Sequence, residues 1–396
     1  MKTTTLLSLF LLTASTVFTQ EFKVVGYLAM WNTGACEVSW DRLTHVNLAF
    51  ANPDINGDLH VDGADPDPVI AAAHAHGVQV FVSLAGGYLQ PDWENAWNFW
   101  MQPGQRGTYI GKIVQYLIDH DLDGVDIDLE WQYVNDQYSP FVLALKDSLQ
   151  LAGFPMTAAL PGSYRYPEIT QEALAAFDWV NLMVYDLTGP WAPANAGPHS
   201  PFWWAEQCLQ YWNDQGLTGS RQTLGVPFYG YDFGANPVQG LDYREIVAMD
   251  TAYAQLDQVG QLYYNGIPTI VAKTRLALEQ TSGIMIWELA EDVCSDLETY
   301  SLLAAIERTI QLTPVIHSTA PLPFSIFPNP AIDEIRIGQP NLAGLHFEII
   351  DIQGTVKQSN RLADDGIIRL KGLPPGLYML QLQSGARTSV KRFIKM

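Results

Sequence analysis

The sequence is short of positive charge, of cysteine and of long apolar runs. Its 21 Lys and Arg stand against 42 Asp and Glu, a formal net charge of -21. That balance excludes nucleic acid and anionic membrane surfaces as partners, because both repel a polyanion, and a neutral or cationic ligand is expected instead. Three cysteines, Cys36, Cys208 and Cys294, are too few for a disulfide scaffold, and none stands at a Cys–His spacing that suits zinc. Histidine is sparse too, and the eight residues, His74 and His76 among them, read as solvated helix positions. No run reaches the roughly 20 apolar residues of a membrane-spanning helix. No Gly-rich phosphate loop follows the first strand-like run. Internal repeats and low-complexity tracts are missing. Tryptophan is absent after Trp287, although twelve occur up to that point.

What is present begins with MKTTTLLSLFLLTASTVFTQ. One Lys, an apolar run of about ten residues, then small and polar residues form the pattern of a cleaved signal peptide, expected over 1–20. Eight strand-like runs follow, at 22–31, 45–51, 78–86, 124–131, 155–162, 179–187, 223–230 and 283–292. Helical patterns at 107–120, 138–151, 168–177, 201–215 and 268–281 separate most of them. Strands alternating with helices imply a parallel sheet, and eight such units over 21–312 fit an α/β fold of the (β/α)8 TIM-barrel type better than an open doubly wound sheet. Trp93, Trp97 and Trp100 are spaced as one helix face, which core packing explains. Cys208 lies in a helical pattern and reads as a buried apolar residue. A Pro- and Ser-rich linker is expected over 313–323. Short alternating segments over 324–396 predict a small all-β sandwich, in which basic residues outnumber acidic ones.

The fourth run, LDGVDIDLEW, carries Asp123, Asp126, Asp128 and Glu130. Strand alternation puts Asp126, Asp128 and Glu130 on one face and Val125, Ile127 and Leu129 on the other. In a barrel the acids point inward, with Glu130 at the C-terminal end where barrel enzymes hold their chemistry. Asp123 precedes the strand and fixes the entering turn. Stacked carboxylates raise one another's pKa and titrate as a set, which can leave the outermost protonated near neutrality. A protonated Glu at a cleft mouth suits general-acid cleavage of a glycosidic bond. A Mg²⁺ or Ca²⁺ site and a solvated edge strand are the other readings of the same acids.

DGVDIDLE has the spacing D-x-x-D-x-D-x-E. SLAGG (83–87, with Gly86 and Gly87), MVYD (183–186), GVPFYG (225–230) and the stretch from YNGIPTIVAKTRLA to GIMIWELAED follow in order. Together they resemble the family 18 glycoside hydrolases, which include chitinases and endo-β-N-acetylglucosaminidases. The resemblance implies substrate-assisted retaining catalysis, in which the sugar's own 2-acetamido group is the nucleophile, with no metal or organic cofactor. Glu130 is then the acid/base, Asp128 holds the acetamido N–H, and Asp126 shares a proton with Asp128. Tyr185 donates to the acetamido carbonyl, and Asp186 and Met183 border the sugar. Trp287 resembles the Trp that floors the sugar subsite. Tyr27, Trp31, Phe50, Trp131 and Tyr229 stand near strand ends where they can stack on sugars. Cys36 follows the first strand and Cys294 the eighth, neighbours once a barrel closes, so a disulfide between them is possible.

Two departures stand out. GYD follows the seventh-strand motif where many relatives have Gly-Arg, and EWQYVN replaces the common Glu-Tyr-Pro. The stretch from 231 to 282 is too short for a sizeable α+β insertion, so a shallow groove suited to endo-cleavage is expected. The implied reading is a secreted, monomeric chitinase whose partners are chitin or chitooligosaccharides. An endo-β-N-acetylglucosaminidase and a chitin-binding lectin are the alternatives. Asp186 after Tyr185 argues against the first, and the presence of Glu130 argues against the second. In the tail, FPNP, IIDIQG, LPPGLYML and VKRFIKM resemble the sorting domain of the type IX secretion system. That resemblance implies an extracellular or cell-surface destination and the type IX machinery as a partner. A carbohydrate-binding module is the alternative, although the tail has no Trp.

Overall fold

The computed structural model describes residues 22–34, 36–313, 324–338, 345–351, 356–363, 365–384 and 387–396. The expected signal peptide over 1–20 and the linker beyond Thr313 lie outside the described residues. The chain divides into two compact units, the larger over Phe22–Ala320 and the smaller containing Pro321–Met396.

Eight parallel strands build the larger unit: β1 (Lys23–Ala29), β2 (His45–Pro53), β3 (Gln79–Gly86), β4 (Gly124–Leu129), β5 (Met156–Pro161), β6 (Trp179–Met183), β7 (Gln222–Pro227) and β8 (Gly283–Trp287). Each pairs with its chain neighbours, and β1 pairs with both β2 and β8, so the sheet closes into a barrel. Closure removes the sheet edge, and the apolar outer face then needs a cover of helices. Val125, Ile127 and Leu129 of β4 accordingly join the core beneath the helices Pro103–Asp119 and Tyr138–Ala152. Trp97 and Trp100 are buried on the helix Pro91–Trp100, and Trp93 packs against the same core at its edge. Cys208 is a buried free thiol.

The differences from the sequence reading cluster at strand ends. Strands six, seven and eight stop earlier than 187, 230 and 292. Tyr229–Asp232 leaves the barrel and pairs with Gln239–Asp242 and Leu262–Tyr263 in a separate four-stranded antiparallel sheet. The stretch from 231 to 282 therefore holds a small insertion, including the short helix Tyr243–Met249. The histidines are not uniformly solvated. His45 and His199 are buried, and His74 pairs with Asp123 at 2.9 Å.

In the smaller unit, Ser325–Phe327, Glu334–Gly338 and Ile367–Arg369 form one antiparallel sheet. Val356–Arg361, His346–Asp351, Gly376–Ser384 and Arg387–Lys395 form another. Ile335, Phe347, Ile349, Leu380 and Phe393 are among its buried residues. Tyr378 is buried as well and stacks on Phe393, so it offers no platform to a sugar.

Candidate active site

Register builds the site from the bottom. Ser83 of β3 and Thr157 of β5 stand directly beside Asp126 of β4. Their hydroxyls donate to its carboxylate at 2.7 and 2.6 Å. The Tyr27 hydroxyl donates at 2.7 Å and Asn181 Nδ2 at 3.2 Å. Burial raises the pKa of Asp126, and these four donors oppose the rise. Four donors take up the roughly four lone-pair sites of the carboxylate and leave none turned to a cation, which disfavours the metal reading. Among the described residues no group of three or more His, Cys, Asp or Glu could hold a metal ion.

One step up the same face the surroundings reverse. Asp128 is buried, yet among the described residues its Oδ1 has no hydrogen-bond partner. Burial, then Glu130, then Asp126 push its pKa well above the usual carboxylate range. No hydrogen bond joins it to Asp126. Glu130 ends the ladder just beyond β4, its pKa pushed up to about 7 by burial and then by the charge of Asp186. Asp123 stays outside the site: its carboxylate accepts from the Val80 N–H at 2.7 Å and ties β3 to the entry of β4.

Two glycines make room for this arrangement. A Cβ on Gly87 would sit 2.6 Å from Glu130 Oε1, and one on Gly86, at φ +98°, 2.6 Å from the Phe50 ring. Ala85, Trp131 and Asp186 are non-glycine residues that also take positive φ, at 97°, 52° and 67°. Such conformations concentrate where surrounding structure over-determines the backbone.

Tyr185 is buried beside Met285, its hydroxyl 3.9 Å from the sulfur. Burial and the nearby acids hold its pKa far above neutrality, so it stays a hydrogen-bond donor. Asp186 accepts from the hydroxyls of Tyr229 and Tyr231. Met183 ends β6 against the aromatic cluster at the mouth. Trp287 stacks on Phe50 at 5.6 Å and tilts against Tyr27 at the same distance, and Trp31 lies 6.0 Å beyond Phe50.

The expected sugar platforms therefore divide. Trp31 and Trp131 are exposed, at 53% and 63%. Tyr27 and Tyr229 are buried, with their hydroxyls on Asp126 and Asp186, because a phenol beside a buried carboxylate satisfies both groups. The sequence reading missed Tyr88, Tyr164 and Trp191, all exposed on segments that follow β3, β5 and β6. Their signal was an apolar ring in a polar loop after a strand. At the rim, Cys36 and Cys294 form a disulfide with Cα atoms 5.2 Å apart.

Comparison with known proteins places this geometry. Residues 325–396 match the model of the secretion system C-terminal sorting domain. A solved GH18 chitinase, ChiB, from the chitin utilization locus of Flavobacterium johnsoniae is 41% identical, with a TM-score of 0.70 over 73% of this chain and 94% of that one. A solved chitinase from Bacteroides thetaiotaomicron is 30% identical, with a TM-score of 0.64 over 73% and 96%. Among curated relatives, a chitinase-like effector of Moniliophthora perniciosa is 28% identical over 55% of this chain and 57% of its own length. An endochitinase of Manduca sexta is 26% identical over 53% and 45%. The chain thus spans about half the length of those two curated proteins. With residues 23–292 matching the family model, and the barrel closing around the acid ladder, the chain belongs to the glycosyl hydrolases family 18.

Proposed function

We propose that this protein is a secreted chitinase that hydrolyses β-1,4 linkages between N-acetylglucosamine units by substrate-assisted retaining catalysis. The observation that carries the reading is the buried, unpartnered Oδ1 of Asp128 beneath Glu130. A buried acceptor without a protein donor is costly unless a ligand supplies one, and an acetamido N–H is such a donor. Glu130, half protonated near neutrality, gives its proton to the leaving glycosidic oxygen. The acetamido carbonyl oxygen attacks the anomeric carbon, guided by the Tyr185 hydroxyl, and the resulting cyclic cation lies beside Asp128. Water then attacks the anomeric carbon and gives a proton to Glu130 as the bond to the acetamido oxygen breaks, which restores the enzyme, the acetamido group and the configuration.

Exposed rings after β1, β3, β4, β5 and β6 suit an extended polymer, because each can stack on a sugar face. The C-terminal domain supports export by the type IX system to the medium or the cell surface. Among the described residues no helix is long and apolar enough to cross a membrane.

The test pairs wild type with Glu130→Gln on soluble chitin oligosaccharides and on an N-glycosylated protein. Cleavage of the oligosaccharides by wild type, lost in the variant while binding persists, is the expected result. Release of N-glycans instead would assign an endo-β-N-acetylglucosaminidase. Binding without turnover by either protein would assign a lectin.

A further inference from the structure

Lys273 is completely buried on the helix Ile267–Gln280, and among the described residues it forms no salt bridge. Its ammonium instead donates to Ser200 O at 2.7 Å, Ser200 Oγ at 2.6 Å and Asn265 Oδ1 at 2.8 Å. An ammonium has three donors and no lone pair, so Ser200 Oγ can only accept from it. The serine's own proton is thereby committed to its other contact, the carbonyl of Val184. The preceding residue completes a grip on the same turn, since Leu187 N donates to His199 O at 2.9 Å. Between those two anchors lie Tyr185 and Asp186, the latter at φ +67°. A left-handed aspartate persists only where its neighbours leave it no alternative.

We infer that Lys273 is a positioning residue for the Tyr185–Asp186 turn, acting through the hydroxyl of Ser200. The inference rests on the roles proposed above for Tyr185 and Asp186. Charge does not explain the lysine's placement. Asp257 and the Cys208 thiol are the acidic groups that favour its charged form, His199 feels its field, and burial pulls its pKa down to about 7. A lysine retained in so unfavourable a place, with all three donors on one short segment and its neighbour Asn265, has the geometry of a clamp. Asn265 Nδ2 adds a bond to Ser200 O at 3.0 Å.

Ser200→Ala breaks the relay while leaving the buried lysine two acceptors, and Ser200→Thr keeps the hydroxyl. Measurements belong at about pH 6, where the ammonium persists. The expected result for Ser200→Ala is a kcat on chitin oligosaccharides reduced about tenfold, with KM changed much less, and recovery in Ser200→Thr. Wild-type kcat in Ser200→Ala overturns the inference. A second reading is independent of turnover: the ¹³C-methyl resonance of Met285, whose sulfur touches the Tyr185 hydroxyl, reports where that ring sits. It is expected to move in Ser200→Ala and Lys273→Met and to return in Ser200→Thr. An unmoved Met285 signal in a folded Ser200→Ala protein also overturns the clamp. If wild type cleaves no chitin oligosaccharide, the functional reading fails, and the Met285 signal still decides the clamp.

Discussion

Asp126 and Asp128 stand two residues apart on one face of one strand, and their surroundings are opposite. The lower acid is met by four donors from β1, β3, β5 and β6; the oxygen Oδ1 of the upper one is met by none among the described residues. Both are buried. The difference separates a scaffold from a site. A buried polar group that the protein satisfies holds strands together, and one left bare beside the acid at the barrel mouth can take its donor from a ligand.

The sharpest way to test that division is to remove charge at each level. Glu130→Gln is expected to keep the fold and to lower kcat/KM on chitin oligosaccharides by about 100- to 10,000-fold, the usual scale of general acid–base catalysis. Asp126→Ala is expected to act through stability first. It strands four buried neutral donors, and each buried donor left unsatisfied costs about 1 to 3 kcal/mol. Chemical denaturation read beside kcat would show the contrast. Equal destabilisation by the two variants would dissolve it.

Titration tests the upper level alone. Glu130 must be protonated to act as acid, so kcat/KM is expected to fall on the alkaline side with a midpoint near its raised value of about 7. Stability follows the same sign. A carboxyl raised in the folded state binds protons more tightly there than in the unfolded chain. Its stabilisation is therefore complete below the unfolded value of 4.5 and is lost as pH rises through about 7. Glu130→Gln should remove that loss, and a denaturation midpoint that tracks pH equally in both proteins would contradict the assignment.

The glycines at the end of β3 offer a gentler perturbation. Gly87→Ala places a methyl against Glu130 Oε1 without touching its chemistry. A displacement of that kind is expected to lower kcat about tenfold, with a smaller change in KM. Steady-state kinetics on one oligosaccharide suffices to check it.

Much of this was legible beforehand because strand alternation is a local rule. Eight apolar runs, one interrupted by acids at every second position, specify a barrel with a charged interior. The partners of Asp126 obey the same rule, since Ser83, Thr157 and Asn181 each interrupt an apolar strand. Pairing them requires the register between strands, which no single strand carries. Tyr27 illustrates the limit. As a ring near a strand end it resembled a sugar platform, and only its distance from Asp126, 99 residues away, turns it into a hydroxyl donor. His199 and Lys273 left no local signal, because a buried cation or imidazole is defined by what folds over it. Strand ends were misjudged for a related reason. After Met183, Pro227 and Trp287 apolar or aromatic residues still recur while the backbone turns away to make the site.

The smallest expected effect concerns the rim, where comparison shifts from oxygen atoms to rings. Trp131 follows Glu130 directly, at φ +52°, and lies exposed beside Gly87 and the Tyr166 hydroxyl, to which its N–H donates. Trp287, in contrast, is packed between Phe50 and Tyr27. A ring wedged among other rings shapes the floor of a subsite, whereas an exposed one contributes only when a longer chain reaches it. Trp131→Ala is therefore expected to leave the shortest cleavable oligosaccharide almost unaffected. On longer oligosaccharides or polymer it should raise KM several-fold, in keeping with about 1 kcal/mol for a partly solvated aromatic contact. Kinetics against chain length would show the effect as a slope. A uniform loss at every length would place Trp131 in the support of Glu130 rather than on the path of the polymer.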